Sequence, residues 1–361
     1  MEYNKVLVIG AGPGGYSTAG DLIMKGFNVA LYEFPEYRTN IFPLIESGRI
    51  KMTGEISGIV TSPRIETKID IAIINADIIL VVTHSAAHKK VAEAIAPFIK
   101  DNQIIVLLPG YTGGTLSFER IFREKNVSAN YILAETNTLP YACNKITGES
   151  AVHIKLYLKQ VLASAFPSSN NLIFFEIFKA LYPNVHLVEN VLEVGFNNGN
   201  PVLNVLPCLF NAVTIEKEQD DYYHFQDGVN PRIAKVMEKM DKERMQIGQA
   251  LGIRVIPYLE RVIHTGYVVK NSTWYEMIST SPHLTAKGPE NLSHRYLTED
   301  VPYGLVPWYF FAKKMGIEAN LIASSIELAS SLLDINFLKE GRTLKEMGIN
   351  DMNLEQLIDF L

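Results

Sequence analysis

The chain has 361 residues, 47% hydrophobic and 20% charged, which is ordinary globular composition with length for about two domains. A net charge of −6 without any basic block argues against a nucleic-acid partner and against an anionic membrane surface. No apolar run reaches transmembrane length and no signal peptide is evident, so a cytoplasmic protein is the expectation.

The first half alternates strand and helix signals. Residues 5–10, KVLVIG, form a short apolar run that ends in glycine. Residues 16–26 read as a helix stopped by Gly26. Apolar runs at 27–33, 76–84, 102–110 and 130–136 read as further strands, with a helix over 87–99. That alternation predicts a parallel sheet wrapped by helices. Residues 149–161 alternate at Val152, Ile154, Leu156 and Leu158 and suit one half-exposed strand late in the first domain. After residue 187 strand signals nearly vanish, and helices are expected over 200–217, 229–251, 302–315 and 319–333. The division is therefore 1–187 for a doubly wound Rossmann domain and 188–361 for an all-α domain that binds substrate.

Residues 8–15, VIGAGPGG, carry Gly10-x-Gly12-x-x-Gly15 between a strand and a helix, the context a dinucleotide fingerprint requires. Gly10 permits the tight turn, Gly12 lets a pyrophosphate approach the backbone, and Gly15 lets the helix pack on the strand. Pro13 and Gly14 complete the turn, whose helix N-terminus offers N–H groups to phosphate. Glu33 ends the second strand, 23 residues after Gly10, where a carboxylate binds ribose hydroxyls and repels a 2′-phosphate. NAD(H) is thus favoured, with NADP(H) kept open by nearby Arg38. The loops THSAAH and PGYTGG follow strands, and their position adds Thr83, His84 and His88 to the cofactor candidates. For His88 the bland alternative, a polar residue in a helix first turn, is the stronger reading. The two cysteines, Cys143 and Cys208, read as free buried thiols, and no metal-ligand spacing exists.

In residues 198–212, NGNPVLNVLPCLFNA, Asn200 reads as a helix cap followed by Pro201. Asn200, Asn204 and Asn211 lie within one narrow arc at 3.6 residues per turn, with Cys208 beside them. Buried amides need partners. Pro207 frees the carbonyl of Leu203, which offers Asn204 a structural one. In TEDVPYGLVP, residues 298–307, Asp300 stands at a helix start, where a capping carboxylate is the bland reading. Arg295 has Glu299 four positions on as an ordinary surface partner.

Several segments together resemble the octopine/nopaline (opine) dehydrogenase family. They are GAGPGGYSTAGDL (10–22), LLPGYTGGTLSF (107–118), AETNTLPYAC (134–143), NGNPVLNVLPCLFNA (198–212), DKERMQIGQALGI (241–253), RYLTEDVPYGLVP (295–307) and GRTLKEMGI (341–349). They run in order through nearly the whole chain. The resemblance implies a Rossmann domain followed by an all-helical domain of the 6-phosphogluconate dehydrogenase C-terminal-like type. It also implies an NAD(P)H-dependent oxidoreductase that joins a 2-oxo acid to an amino acid or amine through an imine. In the family a histidine on the first helix of the second domain polarises the reacting carbonyl or imine, an aspartate orients it, and an arginine holds a substrate carboxylate. Asp300 and Arg295 stand at the matching positions, and the histidine position is occupied by Asn204.

An amide donates a hydrogen bond but does not move protons near neutral pH, and losing acid–base assistance costs about 10²–10⁴ in rate. Three outcomes are open. Another group, among His224, His294 and Tyr303, supplies the proton; the substrate needs less acid catalysis; or the family reaction is lost. His224 and Tyr303 are also candidate substrate contacts, and Asp300 is a candidate ligand for a substrate ammonium. Two competing readings stand beside the opine-type enzyme: a 2-oxo or hydroxy acid reductase of the same architecture, and an NADH-binding protein without turnover. The expected partners are small molecules, and the apolar C-terminal helices are compatible with a homodimer.

Overall fold

The computed structural model describes residues 3–268, 273–281, 284 and 286–361, apart from the side chain of Asp220. It resolves into two compact units.

The first unit comprises residues up to 110, residues 114–191 and the terminal Leu361. Its main sheet has eight strands. β1 (Lys5–Ile9) lies in the middle, with β2 (Asn28–Tyr32) on one side and β6 (Ile78–Val81) on the other. β3 (Arg49–Gly54) and β4 (Gly58–Thr61) leave this sheet, and β5 (Arg64–Glu66) returns to its edge beside β2. Beyond β6 come β7 (Ile104–Leu107), β8 (Ile132–Thr136), β11 (Val161–Phe166) and β12 (Val185–Leu187). All pairs are parallel except β8 with β11. β6 and β7 are four-residue Ile/Leu/Val runs with every residue buried, as a sheet covered on both faces demands. The strand order reverses at β1, so the turn after β1 lies where open parallel sheets hold ligands.

Residues 149–161 do not form one strand. β10 (Ala151–Tyr157) keeps the expected alternation, with Val152 and Ile154 buried and His153 and Lys155 exposed. It lies in a separate four-stranded sheet, ordered β4-β3-β10 and then β9 (Tyr141–Lys145). Lys159 and Gln160 then break the chain, and β11 follows as a fully buried strand of the main sheet. The small side chains of VLASAF hide that strand from a reading based on large apolar residues.

The second unit comprises residues 111–113 and 192–360 and is helical. Its long helices run over Asn200–Phe210, Pro231–Ala250, Val306–Met315 and Asn320–Leu333. The helix expected over 200–217 is split at Asn211. The Asn211 amide donates to the carbonyls of Pro207 and Gly228 and takes φ −119°, so the segment Ala212–Glu218 starts a new helix. Asn200 is not the cap: the Asn200–Phe210 helix begins after Gly199 with no side-chain cap, and Asn198 Oδ1 accepts from the Asn200 N–H at 3.0 Å. A π-helical turn, Val301–Leu305, leads into Val306–Met315. Trp308 and Phe311 are fully buried against Phe196. Burial of the Phe311 ring alone stabilises the unit by roughly 2–3 kcal/mol. Among the described residues no helix is long and apolar enough to cross a membrane.

Candidate active site

The turn after β1 behaves as its glycines require. Gly10 has φ +106°, and a Cβ there would strike the Val82 carbonyl. A Cβ on Gly15 would strike the Gly10 carbonyl, so only glycine lets the Pro13–Met24 helix start this close to β1. Around Gly12, by contrast, a Cβ would meet nothing within 4 Å. This open position is the helix N-cap, and no side chain caps the helix. The cradle therefore has free space, uncapped N–H groups and a positive dipole end at one point, which fits a pyrophosphate.

Glu33 is placed beside it. Its Oε2 accepts the Ala11 N–H at 2.9 Å and the Asn40 amide at 3.3 Å, and its Oε1 accepts the Phe34 N–H at 2.9 Å. The carboxylate at the end of β2 is thus held rigidly against the glycine turn, 7% exposed. Thr83 follows β6, with its methyl against Gly10 and its buried hydroxyl without a partner among the described residues. An orphaned hydroxyl here is what a bound dinucleotide would satisfy. His84 is exposed at the start of a short 3-10 turn. His88 starts the next helix but packs edge-on against Phe118 at 2% exposure, which makes it an interior packing residue.

The second unit holds a buried polar centre. Asp300 is fully buried. Its Oδ1 accepts from the Tyr111 hydroxyl at 2.7 Å, and its Oδ2 accepts from the Asn204 amide at 2.8 Å. The carboxylate makes no capping bond to the π-helical turn that it precedes. Asn204 is likewise committed to Asp300 and not to the Leu203 carbonyl. Burial pushes the Asp300 carboxyl up to about 7, against the opposing pull of Arg295 and of the two hydrogen bonds. Its proton therefore comes and goes near neutral pH, unlike that of an ordinary carboxylate. Cys208, one turn beyond Asn204, is buried. Burial and the nearby Asp300 raise its thiol, so it stays protonated and unreactive. Arg295 pairs with Glu299 at 3.4 Å and lies over the Tyr296 ring, with 42% of its side chain exposed.

Residues 187–333 match the family model described as NAD/NADP octopine/nopaline dehydrogenase, alpha-helical domain. The chain is 32% identical to the opine dehydrogenase of Arthrobacter sp. strain 1C, over 98% of its own length and 97% of that protein. The chain belongs to the opine dehydrogenase family. It has the fold of octopine dehydrogenase in complex with NADH and agmatine, with a TM-score of 0.79 at 18% identity over 98% of this chain and 97% of that one. NADP⁺-bound yersinopine dehydrogenase matches at TM-score 0.75 and 12% identity, over 98% and 100% of the two chains. As an opine dehydrogenase, the protein is an NAD(P)-dependent oxidoreductase acting on CH–NH groups. Its reaction is the reductive condensation of a 2-oxo acid with an amino acid.

The three substitutes weighed for the family histidine do not join this centre. His224 is fully buried among Tyr222, Phe225 and Tyr296; burial and His294 lower its pKa to about 3, so it is a neutral ring. His294 accepts the Tyr296 N–H with Nδ1 at 3.4 Å and so caps the Arg295–Thr298 turn. The Tyr303 ring lies 5.0 Å under the Arg342 guanidinium. Of the asparagine arc, only Asn204 reaches Asp300. The residue that sequence reasoning missed is Tyr111. It sits in the glycine-rich PGYTGG loop with φ +57°, an uncommon conformation for a bulky residue, and it is 2% exposed. Thr112, next to it, accepts from the Trp308 indole at 2.9 Å and its carbonyl accepts from Arg342 at 3.0 Å, which anchors the loop. Among the described residues no cluster of His, Cys, Asp and Glu is suited to hold a metal.

Proposed function

We propose that Asp300 itself is the acid–base group of this opine dehydrogenase, held by Tyr111 and Asn204. The observation that carries this reading is the Tyr111–Asp300–Asn204 chain, buried throughout, with a carboxyl whose proton is labile near pH 7. In the condensing direction the protonated carboxyl gives its proton to the hydroxyl of the carbinolamine, which leaves as water. In the reverse direction the carboxylate takes that proton back from the attacking water. Asn204 orients Oδ2, and among the described residues no donor engages its own Oδ1, which is left to accept an N–H of the substrate amine. Arg295 holds a substrate carboxylate, with its Glu299 partner giving way to the ligand.

Gly10, Gly12, Pro13, Gly14, Gly15, Glu33 and Thr83 are the residues that would hold the dinucleotide. When bound, that cofactor supplies the hydride that reduces the imine carbon. We read NAD(H) as the preferred form, because the anchored Glu33 carboxylate stands where a 2′-phosphate would bring like charge.

The experiment is NADH oxidation by the pure protein with 2-oxo acids crossed against amino acids and amines, repeated with Asp300→Asn. Turnover that needs both partners and falls by about 10²–10⁴ in the variant is the expected result. Turnover with a 2-oxo acid alone would move the chemistry to carbonyl reduction. A fully active variant would remove Asp300 from the proton transfer.

A further inference from the structure

The helical unit carries a second buried cation, Arg261, that no carboxylate pairs among the described residues. Arg244 and Arg261 are both buried, at 0% and 4% exposure, and the two like charges lie within electrostatic reach of each other. Asp241 is fully used. Its Oδ1 accepts from Arg244 Nε at 2.8 Å and Nη2 at 2.6 Å, and its Oδ2 accepts from the Tyr258 N–H at 2.9 Å. Arg244 donates further to the carbonyls of Phe196 and Ile256. Arg261, on the Tyr258–His264 helix, has no such set. Its Nε and Nη1 have no hydrogen-bond partner, and no ion pair involves it among the described residues. Its guanidinium lies 5.5 Å from the centre of the Tyr258 ring. The Tyr258 phenol interacts with the guanidinium as a hydrogen-bond partner, but burial keeps it protonated, so it supplies no counter-charge.

A buried guanidinium without donors satisfied is costly, and such groups are normally paired. A second orphan lies beside it. Asn198 is 1% exposed, its Oδ1 is fixed by the Asn200 N–H, and its Nδ2 has no acceptor among the described residues. Gly199 separates the two. A Cβ on it would collide with the Tyr258 ring and lie 3.2 Å from Arg261 Nε, so glycine lets the guanidinium come up to the backbone here. This point is also the start of the Asn200–Phe210 helix, where Asn198 already accepts the Asn200 N–H and Pro201 has no N–H to offer. Two unsatisfied donor groups call for a bidentate anion.

We infer that Arg261 and Asn198 form a carboxylate-binding site at the start of the Asn200–Phe210 helix, and that a substrate carboxylate is its ligand. The inference rests on the reading of Asn204 and Asp300 as the reacting centre. Asn204 is five positions after Gly199, about 7.5 Å along a helix. A carboxylate held at one end by hydrogen bonds of about 2.8 Å, with its α-carbon toward Asn204, spans that length. The carboxylate belongs either to the 2-oxo acid or to the amino acid, and Arg295 is left to the other.

The test uses the full chain with Arg261→Met and, as a second variant, Asn198→Ala. Steady-state KM is measured for pyruvate, for an amino acid, and for the corresponding amine that lacks the carboxyl group. The expected result is a rise of about ten- to a hundredfold in the KM of one carboxylate substrate, the size of a lost charge-assisted hydrogen bond, with kcat affected far less. The substrate whose KM moves identifies the carboxylate. If it is the amino acid, the KM of the carboxyl-free amine stays put. The melting temperature is read in parallel with pyruvate and with the amino acid, in wild type, Arg261→Met and Asp300→Asn. A carboxylate-induced rise that Asp300→Asn keeps and Arg261→Met loses supports the site whether or not Asp300 moves the proton. Unchanged KM values for both carboxylate substrates in both variants, or a thermal rise that Arg261→Met retains, would overturn it and leave Arg261 as a packing residue.

Discussion

The Tyr111 hydroxyl donates a 2.7 Å hydrogen bond to Asp300 Oδ1, although 189 positions separate the two residues. This bond opposes the effect of burial, because donation to a carboxylate favours the charged form. Tyr111→Phe removes it without changing the shape of the ring. The expected result is a pH–rate midpoint that moves upward from near 7 by about one unit, with kcat in the condensing direction reduced by about tenfold or less. The check is a pH profile of kcat/KM for the wild type and the variant. A midpoint that does not move would detach Tyr111 from the titrating group.

The direction of reaction sets the sign of the pH dependence. Condensation needs protonated Asp300, so its rate is expected to fall as pH rises through about 7. Oxidation of the secondary amine needs the carboxylate, so its rate is expected to rise over the same interval. Parallel profiles in both directions would exclude a single group serving both.

Asp300 also governs stability. Its folded pKa, about 7, is above the ordinary 3.8 of the unfolded chain. The stability associated with its protonated form is fully present below the unfolded value and is lost as pH rises from about 4 to about 7. Asp300→Asn removes this titration. The variant should melt higher than wild type at pH 8 and lose that advantage near pH 4, while turnover drops. A melting temperature lowered at pH 8 would mean that the carboxylate is better accommodated than its burial implies.

How far this centre could be read in advance depended on the kind of signal each residue leaves. Glu33, the glycine turn and the parallel sheet announce themselves through spacing and period, which are local properties of the chain. Asp300 and Asn204 stand out only by resemblance, because a lone buried Asn and an Asp before Pro both have routine structural uses. Tyr111 leaves no local mark, since a tyrosine in a glycine-rich loop looks like any loop residue, and its role arises from a partner 189 positions away. Arg261 is hidden for a similar reason. Its significance is that two of its buried guanidinium nitrogens lack an acceptor, a fact of three-dimensional accounting.

Asn204→His places an imidazole beside a buried carboxylate. An adjacent Asp favours the charged imidazolium, and the imidazolium in turn draws the Asp300 carboxyl back toward its ordinary range. The expected outcome is a gain in condensing kcat of up to about 10², with a pH midpoint now set by the imidazole. The readout is kcat across pH for wild type, Asn204→His, and Asn204→His with Asp300→Asn. A variant with unchanged kcat and midpoint would show that Asp300 already meets the demand for a proton and that the amide limits nothing.

Two glycines separate cofactor binding from folding. A Cβ on Gly15 would strike the Gly10 carbonyl, so Gly15→Ala must push the helix away from β1 and should cost about 1–3 kcal/mol of stability. A Cβ on Gly12 meets nothing within 4 Å, and its backbone, at φ −74° and ψ −172°, is open to any residue. Gly12→Ala should therefore leave the melting temperature of the free protein nearly unchanged. Its methyl group instead fills the space a pyrophosphate needs, so NADH affinity should fall by tenfold or more. Melting curves with and without NADH, together with NADH fluorescence titrations, read both quantities. Equal loss of stability in the two variants would mean that Gly12 serves the turn and not the ligand, and undiminished NADH binding by Gly12→Ala would move the pyrophosphate elsewhere on the turn.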